Sequence, residues 1–269
     1  ALLVIPHDFS QQMVREQQPQ LGLFLDGLDG TVAGIAGAYA QQILQQTAAQ
    51  LNSQTAPLQL ETRMWFNTDL KTAQYTIPGL VAVLMTVISM MLASMSLVRE
   101  KEIGTLEQLM VTPLKKHELL LGKLLPFLVL SLISMTVMMR AAQWIFGLYM
   151  MGSYGVLLVA AIAFLAVTLS FGTLVSTLAQ TQQQAMFISW FFMVFMILLS
   201  GIFVSSDNMP PSMQLVCKLN PMHFFVNMLR DIFQKGSGFW ALRKDFVGLL
   251  SLASVSFLLS YVKFSKRLQ

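Results

Sequence analysis

Charge is what this sequence has least of. Only 11% of its 269 residues are Asp, Glu, Lys or Arg, while 55% are hydrophobic; a soluble domain carries about 25% charged residues. The deficit excludes an ordinary water-solvated globule and points to a chain much of which faces lipid. Cysteine is nearly absent. Cys217 stands alone, which excludes an internal disulfide and a cysteine-based metal cluster, so it reads as a small apolar side chain. The three histidines, His7, His117 and His223, fall in separate regions, so no metal site is expected. "HELLLG" from His117 lacks the second His of a zinc-protease helix. Extended to "HELLLGKL", it has Gly122-Lys123 but His117 where a phosphate-binding loop needs glycine, and Leu124 where it needs Ser or Thr. No nucleophile motif appears, so the chain is expected to hold no catalytic residue and no cofactor.

The little charge present is unevenly spread. Residues 1–77 carry net −3 and the remainder net +7. The basic residues sit beside apolar runs, which is a topology signal rather than a nucleic-acid footprint, and no nucleic-acid partner is expected. Within 1–77, "ALLVI", "QLGLFLD" and "LQLETRMWFN" read as strands. "PHDFSQQMVREQ" and "GTVAGIAGAYAQQILQQTAAQLNSQ" read as helices. Alternation of strand and helix predicts a small α/β domain.

Five apolar segments follow: Pro78–Val98, Leu119–Leu148, Tyr154–Leu178, Ala185–Val204 and Phe246–Val262. Each is near the roughly 20 residues that cross a bilayer. The connector after the first holds Arg99, Lys101, Lys115, Lys116 and Lys123, and the tail after the fifth holds Lys263, Lys266 and Arg267. The other two short connectors carry no Lys or Arg. Alternation of five spans puts the basic connector and the tail on one face, the cytoplasmic one. The N-terminal domain then lies outside, and a further span ahead of Ala1, a sixth, is expected to carry it there. The fold class read from the sequence is therefore an α-helical membrane protein. It would have five visible transmembrane helices and a small α/β extracytoplasmic domain over 1–77, with the transmembrane domain over 78–269.

Three stretches make the chain recognisable. "REKEIGTLEQLMVTPLKKHELLLGKLLPF" resembles the signature of ABC-2 type transport permeases, the membrane subunits of a class of ATP-binding-cassette exporters. "LSGIFVSSDNMPPSMQLVCKLNPMHFFVNMLRDIF" resembles that family's outer-leaflet region. "VIPHDFS", "LFLDGLDGTVAGIAGAY" and "WFNTDL" resemble the outer domain of its multidrug-efflux-like bacterial subgroup. The resemblance implies a permease of the bacterial inner membrane, with the N-terminal domain periplasmic and the C-terminus cytoplasmic. It would export a hydrophobic or amphipathic, drug-like or lipid-like compound. The partners implied are an ABC ATPase subunit that binds ATP and Mg, and a second permease subunit, identical or different. A periplasmic adaptor protein and membrane lipid complete the set.

In the connector, 99–118, helical spacing puts Ile103, Leu106 and Met110 on one face, expected to pack on the bundle, with Glu102 and Glu107 elsewhere. Thr112-Pro113 suits a new helix start, and Pro126 is expected to kink that helix. The resemblance implies that Arg99, Glu100, Glu102, Gly104, Thr105, Glu107, Gln108 and Pro113 couple the permease to its ATPase. The competing reading is a solvated loop whose charges only set topology.

Arg140 lies inside the second segment, where a charge costs about 2.5–3.5 kcal/mol on insertion scales. It either snorkels to the outer interface or lines a polar path. Two short helices are expected within 207–234, the second with Phe224, Phe225, Met228, Leu229 and Ile232 on one side and Asn227, Arg230 and Asp231 on the other. That pattern suits a helix lying in the interface or dipping partly in; Phe224 and Phe225 are candidate pathway or interface residues. Ala166, Ser170, Gly172, Thr173 and Ser176 form a small-residue stripe for helix packing. The rival function is a membrane-anchored assembly or receptor protein acting through its outer domain. An ion-coupled carrier is disfavoured, since no segment carries Asp or Glu to relay protons.

Overall fold

The computed structural model describes residues 2–5, 7, 22–24, 30–51, 72–105, 116–203 and 209–266. The chain divides into two compact units, Ala1–Tyr75 and Thr76–Gln269. In the first, β1 (Leu2–Val4) pairs antiparallel with β2 (Gly22–Phe24), Leu3 opposite Leu23. Helix α1 (Gly30–Leu51) follows and leaves Ile35, Tyr39 and Ile43 exposed along one side. The helix expected over 6–17, apart from His7, and the strand expected over 58–67 lie outside the described residues.

The second unit is a helical bundle. Helix α2 (Thr72–Thr86) runs through a π-helical turn at Val87–Met91 into α3 (Leu92–Ile103). Next come α4 (Lys116–Phe146), α5 (Tyr154–Leu178) and α6 (Gln182–Leu198). The short α7 (Pro211–Cys217) and α8 (Pro221–Lys235) lead to α9 (Arg243–Lys266). Three stretches are long and apolar enough to cross a membrane: Tyr75–Ile103, Glu118–Phe146 and Tyr154–Leu178. α6 is shorter, 17 residues, or about 25 Å at 1.5 Å per residue. The fourth apolar run continues beyond it, but Gly201 turns the backbone left-handed at φ 82° just after the helix. α9 covers the fifth run. α4 continues through Pro126.

Caps explain the boundaries. Ser153 and Thr181 accept from the backbone N–H groups of Gly155 and Gln184 at the starts of α5 and α6, and Asn220 from that of Met222 at the start of α8. α5 is the central helix, with 61% of its apolar window buried against 22% for α4, which lies at the margin. Of the small-residue stripe, Ser170, Gly172, Thr173 and Ser176 are buried and Ala166 is exposed. A Cβ on Gly172 would lie 2.8 Å from the Met90 carbonyl, so α5 touches the π-helical turn directly. Hydroxyl pairs bind the helices laterally: Ser89 with Thr168 at 2.8 Å, Ser94 with Ser189 at 2.8 Å, and Thr173 with Ser260.

α8 packs within the bundle. Its apolar side is buried, with Phe225 stacked on Phe164 at 4.2 Å between ring centres. Of the side expected to be polar, Arg230 is buried while Asn227 and Asp231 are half-buried, and His223 and Gln234 are buried as well. The helix therefore sits inside the bundle, against α5, α6 and α9.

Candidate functional site

The charged end of α3 is where the bundle's helix termini converge. Successive residues on a helix point about 100° apart, so Glu100, Lys101 and Glu102 fan out toward three different neighbours. Glu100 is ion-paired with Lys123 on α4. Lys101 donates from Nζ to the Ala179 carbonyl, 2.7 Å away, at the C-terminal end of α5. Glu102 Oε2 accepts from the Gln182 backbone N–H at 3.3 Å and from its side-chain amide at 3.2 Å, at the start of α6. A cation at a helix C-terminus and an anion at an N-terminus both oppose the exposed end of a peptide dipole. Beneath this clasp lie Val98, Ala179 and Ala185, fully buried, with Ile188 against them.

Gly104 ends α3 in a left-handed cap, φ 82°, its N–H donating to Lys101 O at 3.3 Å. A Cβ there would touch nothing, so glycine is required by conformation rather than by space. Thr105 Oγ1 donates to the Glu100 carbonyl at 3.3 Å. Arg99 is exposed. Glu107, Gln108 and Pro113 lie outside the described residues.

Leu106 and Met110, expected on the apolar face of the connector, and Thr112 lie outside the described residues. Of the described residues, Ile103, expected to pack on the bundle, is 63% exposed, and Glu102, expected to face a partner, binds the start of α6, as Glu100 binds α4. The reason is that three helix ends meet here with unpaired backbone groups of their own. The uncharged turn Ala179-Gln180-Thr181 supplies no ions, so α3 does.

At the other end of the bundle the candidates separate. Arg140 is exposed on the rim of a groove between α4 and α5 that neither Phe224 nor Phe225 lines. Phe225 is fully buried in its stack on Phe164, a packing position. Phe224 covers Gly248 of α9, where a Cβ would lie 2.6 Å from the ring. Sequence reasoning missed Arg230. Its guanidinium donates to the carbonyls of Gly201 at 3.0 Å and Ile202 at 3.3 Å, just past the end of α6. Asn220 adds a bond from Nδ2 to Met196 O at 2.7 Å. Among the described residues no group of three or more His, Cys, Asp or Glu could hold a metal.

Membrane-length apolar helices, glued by small residues and hydroxyls and tied by a charged clasp at one end, are the features of a polytopic membrane protein. The chain belongs to the ABC-2 family transporter proteins, matching that family over residues 1–262. It is 34% identical over 275 residues to "Probable multidrug ABC transporter permease YbhS" of Escherichia coli, covering 99% of this chain and 73% of the relative. It is 30% identical over 272 residues to "Probable multidrug ABC transporter permease YbhR" of the same organism, covering 99% and 74%. It is also 26% identical over 273 residues to that organism's "Inner membrane transport permease YhhJ", covering 97% and 72%. Membership makes it a transport permease, not an enzyme, and a multi-pass protein of the inner membrane. It also implies an ATPase partner and a second permease subunit.

Proposed function

We propose that this chain is the membrane half of an exporter, carrying a hydrophobic or amphipathic compound outward, driven by ATP hydrolysis on a separate subunit that docks at the end of α3. In this reading five described segments span the bilayer. The clasp and the tail face the cytoplasm, the N-terminal unit faces outward, and a periplasmic adaptor receives the compound.

The observation that carries the reading is the clasp. A force applied at the end of α3 reaches α4 through Glu100–Lys123, α5 through Lys101 and α6 through Glu102. Among the described residues at the end of α3, those open to a partner are Arg99, exposed Ile103 and the Gly104 cap. An exposed isoleucine near an arginine suits the apolar centre of a small protein contact.

Ile103→Glu tests this, because it leaves every clasp contact in place. The variant should insert normally, lose co-purification of the ATPase and stop exporting. Orientation is read by cysteine labelling, with Gln59→Cys reactive from outside and Gln108→Cys only after permeabilisation. Normal ATPase capture and export by Ile103→Glu would sink the docking assignment.

A further inference from the structure

The margin of the bundle carries a site that the transport reading does not use. A groove of about 240 Å³ opens between α4 and α5. Buried Met135, Met139 and Leu157 form its floor, and Arg140, Gln143 and Tyr154 its rim. Thr136 lines this groove and also a second hollow of about 310 Å³ running down α4 past Ile133 to Val129. The two adjoin at Thr136, the second a shallow, open stretch of the α4 surface, so that polar groups lie at one end and apolar side chains along the rest.

The polar end is built for an anion. Arg140 pairs with no carboxylate among the described residues. A cation at membrane depth without a counter-charge is costly, and guanidinium matches a phosphodiester with two parallel donors. Gln143 Nε2 donates to the Tyr154 hydroxyl at 3.0 Å. That bond leaves the hydroxyl proton, and the second amide proton, free to donate. No carboxylate lines the rim, so no negative charge there would pair with an ammonium group.

The dimensions fit a lipid. Arg140 sits six residues before Phe146, the end of α4, or about 9 Å below the helix end at 1.5 Å per residue. From Arg140 to Val129 the helix drops about 16 Å, close to one leaflet's share, about 15 Å, of the hydrocarbon core. We infer that this groove holds one anionic glycerophospholipid, its phosphate on Arg140, Tyr154 and Gln143 and one acyl chain along α4 to Val129. That the leaflet is the outer one rests on the orientation proposed above; the site itself does not.

Native mass spectrometry of the full chain with its partner subunits, extracted in mild detergent, tests it. The wild type should retain phosphatidylglycerol or another net-negative phospholipid in preference to phosphatidylethanolamine. Arg140→Met, which eases insertion, should weaken retention about tenfold or more by removing the charge-assisted bonds. Ile133→Trp, on the exposed side of α4, should weaken it by filling the apolar hollow while leaving every headgroup donor in place. Excess inorganic phosphate should not release the lipid. Four results would overturn the inference: equal retention by Arg140→Met, no retained lipid in the wild type, no preference between headgroups, or release by phosphate alone. Export is not the readout, so failure of the transport reading would leave this result standing.

Discussion

Glu102→Gln separates a carboxylate spent inside the protein from one offered to a partner. The change keeps the shape and an acceptor oxygen but removes the charge. In the structure Glu102 accepts two bonds, 3.2 and 3.3 Å long, from Gln182 at the start of α6. The residue is exposed, so the larger values for buried charge-assisted bonds do not apply. The helix-dipole figure of about 0.3–1 kcal/mol does. A loss near 1 kcal/mol raises the population of locally open α6 N-terminus about fivefold. Hydrogen exchange of the amides at 180–184, in protein held in lipid nanodiscs, should accelerate by about that factor and remain unchanged along α5. Glu102→Lys places a cation at the positive end of the helix and beside Lys101, and its effect should exceed that of the Gln variant. Exchange identical to wild type in both variants would mean that Gln182 does not hold this carboxylate in solution. The clasp argument would then fail at α6, and Glu102 would be free to meet a partner.

Two other positions give independent checks. Phe225→Leu should lower thermal stability by about 1–2 kcal/mol through lost stacking on Phe164 without altering which compounds are exported. A changed substrate range at unchanged stability would place the ring in the path instead of the core. Burial, reinforced by the charge of Asp231 and opposed by Lys244, holds the Asp245 carboxyl above its ordinary value of 3.8. A carboxyl raised in the fold contributes stability that is complete below pH 3.8 and lost as pH rises through the folded value. Asp245→Asn should therefore melt higher than wild type at neutral pH and lose that advantage near pH 3.8. Equal melting at neutral pH refutes the reasoning.

Periodicity and hydropathy made much of the bundle legible. The third apolar segment coincides with α5, and the small residues at 170–176 are buried as their spacing demanded, because both signals are local and repeat along one helix. Three features were not legible, each for a physical reason. A hydropathy window does not register backbone angle, so the fourth run read past Gly201, where the chain turns left-handed. Arg230 read only as part of the polar side of its helix. Its partners are main-chain carbonyls at 201 and 202, which carry no side-chain signature. Glu102 read as available for the same reason, since one of its donors is a backbone N–H 80 residues further on. In each case the missing information was the location of a helix end, and a Gln-rich uncharged turn between two apolar runs is the one sequence sign that such an end needs charge from elsewhere.

Helix α6 joins these observations. It buries only Ala185, Ser189, Met193 and Met196, and leaves Phe187, Trp190, Phe191 and Phe195 exposed. Its lateral grip on the bundle is therefore small for its length. Its ends are held differently: an anion from α3 at the start, and a cation from α8 on the carbonyls just beyond the finish. Each is a bond to a helix terminus, worth about 0.3–2 kcal/mol depending on burial. That is the energy range in which two conformations of a protein are both populated. A helix packed by large buried side chains would resist displacement by several kcal/mol per residue lost. Beside the Ser94–Ser189 and Asn220–Met196 bonds, α6 is held by two charges carried by other helices, so a shift of α3 by a docked partner acts on the contacts of both Glu102 and Ser94.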